Sequence, residues 1–442
     1  MSHNKIKKLF NKSVSTIASD ISKYSLNPTK DFTREKKLPV DKLITFLVSQ
    51  GASSTKNELL DFFSMSNDTP TASALNQQRD KLRPEALEAV FNEFNASVST
   101  FRTYSNYRFL AADGSTFSFF SKPSFASEEY YVSEGHSAKG YYSMHLNAFY
   151  DLKTHTYTDA IIQPIHKINE YRAFCEMVDR HPIIREIKNV YIADRGYCSY
   201  NNMAHVIENE QYFLFRTKDI HSKGLTAKFE YPDSDSFDIA VNVTIVRSHS
   251  KKITIKEDYY KRFIGKDLAF DFIDYGSLNS YNLSFRVVRF PLSDNTYECI
   301  GTNLPTNEFS TEEIKELYFS RWGIETSFRK LKYTIGLCNF HSYKPEFIQQ
   351  EIWAKLIAYN ITETLINLAI IKKRNTKHPY KVNFSRATHI CRIFLQQHLK
   401  KDSIDVMFLL QKELIPIRNE RKYPRLQTAH FRRPRYFIYR AS

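Results

Sequence analysis

"YRFLAADGST", residues 107–116, is where the sequence changes period, and its reading sets the fold. It is a short run of aromatic and aliphatic side chains that stops at Asp113 and Gly114, so a strand giving way to a turn is expected. Downstream, "YYSMHLNAFYDLKTHTYTDAIIQPI" (141–165) reads as two strands about a turn at Lys153 and Thr154. "NEYRAFCEMVDRH" (169–181) has helical spacing, and "NVYIADRGY" (189–197) is another apolar strand, ending at Asp194. A helix at that place can act as a crossover that lays the next strand parallel to the others. The helix-like "YNNMAHVIENE" and the strand "QYFLFRT" continue the alternation, so the fold class is α/β.

Upstream of residue 107 the pattern is helical: "VDKLITFLVSQ", "TKNELLDFF", "TASALNQQRDKL" and "PEALEAVFNEFNAS" are separated by Gly51, "SMSNDTP" and Pro84. The third segment carries Asn76, Gln77, Gln78, Arg79 and Lys81, groups that match base edges in a helix-turn-helix reader. An ordinary helical bundle fits the same residues. Between 218 and 296 helical signals are scarce while "FDIAVNVTIV" and "NLSFRVVRF" read as strands, a β-rich insertion in the α/β core. "TYECIGTNL" returns to strand. Ser310 and Glu313 then form a capping box that opens one long helix, "TEEIKELYFSRWGIETSFRKLKYTI" (311–335), closed by Gly336.

Charge narrows the function. Lys and Arg number 63 against 48 Asp and Glu, a net +15 over 442 residues, which favours a polyanion as partner, nucleic acid first. A coding bias toward Lys gives the same total, so distribution matters more. Residues 418–442 hold eight Arg or Lys against one Glu, interleaved with Tyr423, Phe431, Tyr436, Phe437 and Tyr439, which suits phosphate contact plus base stacking or a tail docked on the core. The cysteines Cys175, Cys198, Cys299, Cys338 and Cys391 are scattered with no zinc spacing, and read as reduced thiols. His136, His145 and His341 form no ligand pattern. The amino-terminal residues lack the apolar core of a signal peptide, and "LIAYNITETLINLAII" contains Asn360, Glu363 and Asn367, a buried helix rather than a membrane span.

In the helix 311–335, Tyr318, Arg321, Glu325 and Lys332 stand at offsets of 3, 7 and 14 residues. At 3.6 residues per turn they share a stripe roughly 60° wide and about 21 Å long. Leu317, Ile324, Phe328, Leu331 and Ile335 lie beside it, so the stripe borders the core. A carboxylate there needs a cation, either Arg321 or a metal ion. Gly323 is poor in a helix interior, by about 1 kcal/mol against Ala, which points to close approach of a backbone or a ligand. An amphipathic helix with chance i, i+4 pairs has the same spacing. The two aspartates tip the balance: Asp113 and Asp194 each close an apolar strand, where α/β sheets present ligand-binding groups. With Glu325 they make an oxygen-rich site suited to Mg²⁺ or Mn²⁺. Two such ions about 4 Å apart suit phosphoryl displacement.

The pattern resembles the DDE transposases of bacterial insertion sequences, specifically the insertion sequence four group marked by Y-x(2)-R-x(3)-E-x(6)-K. Tyr318, Arg321, Glu325 and Lys332 match that signature, Trp322 matches the group's common Trp, and "DGST" at Asp113 and "DRGY" at Asp194 resemble the surroundings of its first two catalytic aspartates. The resemblance implies an RNase H-like core interrupted by the β-rich insertion. It implies Asp113, Asp194 and Glu325 as catalytic residues and ligands of two Mg²⁺ or Mn²⁺ ions, with Tyr318, Arg321, Lys332 and Trp322 on DNA. The partners it implies are double-stranded transposon ends and target DNA, joined by cut-and-paste with a hairpin intermediate, in a dimeric synaptic complex and with no membrane. The expected setting is the cytoplasm of a bacterium, at the nucleoid. The expected organisation is a helical DNA-binding region (1–100), a core in two parts (101–217 and 297–373) around the insertion (218–296), and a helical, basic carboxy-terminal region (374–442). A structure-selective nuclease on the same core, or a domesticated DNA-binding protein without chemistry, are the alternatives.

Overall fold

The structure, a computed structural model, describes residues 1–34, 37–98, 103–134, 138–181, 184, 186–293, 296–371, 377–396 and 404–418. His136 and nearly all of the basic tail, 419–442, lie outside the described residues.

The chain opens with α1 (His3–Ser19), α2 (Val40–Ser49), α3 (Thr55–Phe62), α4 (Ala72–Arg79) and α5 (Glu85–Val98). Sequence reading passed over α1 because its Lys, Asn and Ser residues mask a narrow stripe, Ile6, Phe10, Val14 and Ile17, that is buried at helical spacing. Ser2 caps this helix by accepting a hydrogen bond from the Lys5 N–H. Next come β1 (Tyr107–Phe119), β2 (Tyr131–Glu134), β3 (Ala138–Asp151), β4 (Thr156–Pro164), α6 (Glu170–Arg180), β5 (Lys188–Ala193), α7 (Tyr200–Glu208) and β6 (Tyr212–Thr217). The region expected as an insertion contains β7 (Phe237–Val246), β8 (Tyr260–Phe263) and β9 (Ser280–Ser293), and β10 (Thr296–Thr302) follows. The carboxy-terminal part has α8 (Thr311–Ser320), α9 (Trp322–Arg329), α10 (Pro345–Leu368), β11 (Tyr380–Val382), α11 (Phe384–Gln396), α12 (Val406–Lys412) and β12 (Leu414–Pro416).

One large sheet organises these elements, in the order β2-β3-β1-β5-β6-β10-β9-β7-β8 with β4 paired to β3. The crossover through α6 lays β5 parallel to β1, as expected of it, and α7 lays β6 parallel to β5. The earlier strands do not share that direction: β3 is antiparallel to β1, and β4 is antiparallel to β3 because the short connection 152–155 can only reverse the chain. The strands of the β-rich segment extend this same sheet through the β9–β10 pairing.

Two expectations need correction. β1 does not end at Asp113. Its parallel pairing with β5 stops at Ala112↔Ala193, yet its antiparallel pairing with β3 runs on to Phe119↔Tyr142, so a partner on the other edge carries the strand past the Asp-Gly pair. The single helix expected over 311–335 is in fact α8, α9 and a π-helical turn at Lys330–Thr334. At the α8–α9 joint the bonds tighten to i→i+3, with the Arg321 N–H donating to the Tyr318 carbonyl (3.1 Å) and the Ile324 N–H to the Arg321 carbonyl (3.0 Å). The capping box at Ser310 and Glu313 is present, and Gly336 ends the run at φ +90°.

Strand alternation decides what faces what. Tyr107 and Phe109 of β1, Val190 and Ile192 of β5 and Leu214 of β6 pack against α8 through Ile314 and Tyr318. Leu110, Ala112, Tyr191 and Ala193 point the other way, to Phe174 and Met177 of α6 and Met203 of α7. A further core joins α1, α2 and α5 to α9, α10, α11 and α12. Arg79, expected on a base-reading face, is fully buried in that layer, where it pairs with Glu351 (3.1 Å) and donates to Gln350 of α10. It is a packing residue because a buried guanidinium must spend its donors on the carboxylate and amide beside it.

Candidate active site

The site grows from one step of strand register. Ala112 and Ala193 are the last paired residues of β1 and β5, so Asp113 and Asp194 are the next residues on two adjacent strands. Asp113 shares the parity of Tyr107, Phe109 and Ala111, and Asp194 that of Val190 and Ile192, so both belong to the α8–α9 side of the sheet. On β6, beside Ala193↔Phe215, the next residue on that side is Arg216. Asp194 caps the short helical turn Arg195–Tyr197 and accepts from the Arg195 N–H at 2.6 Å; its other neighbour is Arg216 Nη1 at 3.7 Å. Arg216 is gripped in turn by the buried Glu298 of β10.

From the helix side, the tight joint presents Arg321. Its guanidinium is buried and donates to Glu325 Oε1 at 2.9 Å, while Nη1 stands 3.9 Å from Asp113 Oδ2. Arg321 therefore joins the first and third carboxylates of the expected triad and balances both. Burial pushes the Asp113 carboxyl up to about 6, against the Gly114 N–H and Arg321, which favour its charge; Glu325 and Glu170 add to the upward push. Asp113, Arg321 and Glu325 are thus brought together, and Asp194 sits one strand away beside Arg216.

The other signature residues divide. Tyr318 is buried in the core under α8, with its ring 5.8 Å from the Arg321 guanidinium, and burial pushes its phenol up to about 12. Trp322 is half exposed, 5.4 Å from that guanidinium on the solvent side. Lys332 leaves the continuous stripe: it lies in the π turn, where Nζ donates to the Thr116 carbonyl at 3.0 Å and stands 4.9 Å from the Phe117 ring. Burial lowers its ammonium pKa. At Gly323 the near neighbour is a side chain and not a backbone: an added Cβ would sit 3.0 Å from Leu152 Cδ2. The close approach is that of a side chain at the start of the β3–β4 connection.

Among the described residues no three His, Cys, Asp or Glu side chains are gathered closely enough to cage a metal ion as they stand. The donor set is nevertheless all carboxylate oxygen, and the buried Arg321, whose Nε has no hydrogen-bond partner among the described residues, marks the place between Asp113 and Glu325 where positive charge is required. Hard divalent cations fit such donors. Sequence reading missed Arg216, Glu298, His145 and Glu170. Arg216 carries the signal of a cation one residue from the end of a parallel strand; His145 and Glu170 have none, since a strand residue and the first residue of a helix meet only in three dimensions.

Residues 104–361 match the family model of the transposase DDE domain, more than half of the chain, and the chain belongs to that family. It is 28% identical over 130 residues, 27% of its own length and 28% of the relative's, to the transposase InsG for insertion sequence element IS4 of Escherichia coli (strain K12). Over 65 residues it is 34% identical to the transposase for insertion sequence element IS421 of Escherichia coli, covering 15% of this chain and 18% of that one. The chain thus spans less than a third of the length of these curated relatives. A cryo-EM structure of the piggyBac transposase synaptic complex with hairpin DNA is similar over 89% of this chain and 80% of that one, at 8% identity and a TM-score of 0.46. Among the described residues no helix is long and apolar enough to cross a membrane.

Proposed function

We propose that this protein is a DNA transposase that binds the ends of its own element, cleaves them with divalent metal ions and joins them to target DNA. The observation that carries the reading is the register step that sets Asp113 beside Asp194 on the face where Arg321 and Glu325 approach. Family membership supports the reaction class. The strand order β4-β3-β1-β5-β6, with three antiparallel strands followed by two parallel ones, supports an RNase H-like core.

Asp113, Asp194 and Glu325 would hold Mg²⁺ or Mn²⁺, two ions by the chemistry, which supply charge neutralisation and activation of the attacking oxygen. In the first step a water oxygen attacks phosphorus and the bond to the 3′ oxygen breaks, leaving a 3′-hydroxyl and a 5′-phosphate. In joining, that hydroxyl attacks a target phosphorus and expels the target's own 3′ oxygen. A hairpin arises if the first 3′-hydroxyl attacks the opposite strand of its own element. Lys332, fixed by the Thr116 carbonyl, offers a cation to phosphate at the edge of β1, and Trp322 offers an exposed ring for a base. Arg321 orients Asp113 and Glu325 and sets a positive charge between them. Synapsis of two ends calls for at least a dimer.

The test is cleavage and gel shift on one fragment carrying the inverted repeat that flanks the gene. Asp113→Asn, Asp194→Asn and Glu325→Gln should each abolish cleavage and leave binding within a few-fold, because each removes a ligand oxygen and no phosphate contact. Near-normal cleavage in Mg²⁺ by any one of them removes that residue from the site. Cleavage without joined product identifies a nuclease instead.

A further inference from the structure

The two aspartate motifs each carry a glycine, and one residue outside the signature, Glu170, stands near both. A Cβ on Gly114 would lie 2.7 Å from Glu170 Oε1 and 2.3 Å from His145 Nε2, and a Cβ on Gly196 would lie 3.8 Å from Glu170 Oε2. Glu170 is the first residue of α6, on the opposite side of the sheet from Arg321, and its carboxylate stands beside Gly114, where a Cβ would collide with it, and at ordinary contact distance from where a Cβ on Gly196 would lie. His145 of β3 holds it from beneath. The imidazole is nine-tenths buried, with Nδ1 3.1 Å from Thr116 Oγ1 and Nε2 3.0 Å from Glu170 Oε1 without an aligned hydrogen bond. Thr116 is also the residue whose carbonyl accepts Lys332. The carboxylate is about one-third exposed, so its charge is not sealed in the core.

We propose that Glu170, positioned by His145, is a fourth carboxylate of this site, which raises its affinity for divalent cations and so lowers the metal concentration needed for cleavage. The inference rests on the reading of Asp113, Asp194 and Glu325 as the cleavage site. A carboxylate in this position adds negative potential where Asp113 is already desolvated, and a divalent ion responds to the sum of nearby charges.

The experiment uses the full chain and Mn²⁺ as probe. In calorimetric titration without DNA, Glu170→Gln should raise the Mn²⁺ dissociation constant roughly five- to tenfold, and Glu170→Asp should recover part of that loss. Glu176→Gln, on the same helix and paired with Arg172, should change nothing and controls for net charge. Cleavage of the end fragment by Glu170→Gln should then require several-fold more Mg²⁺, a shift that a purely structural role for Glu170 would not produce. The proposal is overturned if Glu170→Gln binds Mn²⁺ within twofold of the wild type while Asp113→Asn loses at least tenfold. If Asp113→Asn also binds as the wild type does, the carboxylate site itself is misassigned and this inference goes with it.

Discussion

Arg321 and Lys332 belong to one sequence signature but are held in opposite ways, and their variants should separate. Arg321 is buried between Asp113 and Glu325, so Arg321→Ala leaves two carboxylates without a counter-charge at the edge of the core. That variant should melt lower and cleave poorly, and raised Mg²⁺ should partly restore its cleavage, since the ion replaces the missing positive charge. Lys332 donates to a backbone carbonyl and lies over the Phe117 ring. Lys332→Ala should weaken the hold on the cleaved end and gain almost nothing from Mg²⁺. A Mg²⁺ titration of cleavage on a pre-assembled end complex compares the two, and equal rescue would refute the division of roles.

At the scale of the element, the run from α8 to Gly336 shows how a helix can be well signalled and still not be uniform. Ile324, Phe328 and Leu331 are buried, each worth roughly 1.5–3 kcal/mol, and that shared apolar side holds α9 and the π turn on the core while the hydrogen-bond pattern tightens at Arg321 and widens after Arg329. The 3.6-residue period found the buried side. It could not find the π turn, because the wider turn displaces Lys332 without altering which residues are apolar. Gly336 closes the run at φ +90°, and an added Cβ would meet nothing nearer than Ala52 Cβ at 3.5 Å. Gly336→Ala should therefore destabilise through backbone strain alone, by about 1–2 kcal/mol, readable as a lower midpoint in urea with an unchanged slope. A loss below a few tenths of a kcal/mol would mean the turn relaxes.

Across the whole molecule, the amino-terminal helices are tied to the long helix α10 by a buried polar network. Glu351 accepts from Arg79 (3.1 Å) and from the His341 N–H (3.0 Å), and Lys355 donates to the Gln50 carbonyl. Burial alone would push the Glu351 carboxyl up, but His341 and Arg79 hold it down at about 2, below its ordinary 4.5. Between these two values the unfolded chain binds the extra proton. The stabilisation is therefore present above about pH 4.5 and is lost as pH falls toward 2. Thermal melts should show a stability loss in that window that is shallower in Glu351→Gln. At neutral pH the same variant should be less stable by about 3–5 kcal/mol, since it leaves Arg79 buried without its counter-charge. A variant that melts like the wild type would show that the network contributes no net stability.

Periodicity and strand order were enough to read the alternating α/β core, the β-rich segment and the capped helical run through Arg321 and Glu325, though not its division into α8 and α9, because these follow from which residues recur at 2 or 3.6 positions. Asp113 and Asp194 could be picked out as the residues after two apolar runs, and the signature through its fixed spacing. What only the tertiary structure decided is neighbourhood. The continuation of β1 past Asp113 depends on β3, a partner that no local pattern names. The burial of Arg79 depends on α10, more than 260 residues away in the chain. Above all, Glu170 and His145 meet beside Gly114 on the opposite side of the sheet from Arg321, in space that a side chain at Gly114 would fill. Local sequence encodes conformation and apolar period; which charges meet is set by register and packing between segments distant in the chain.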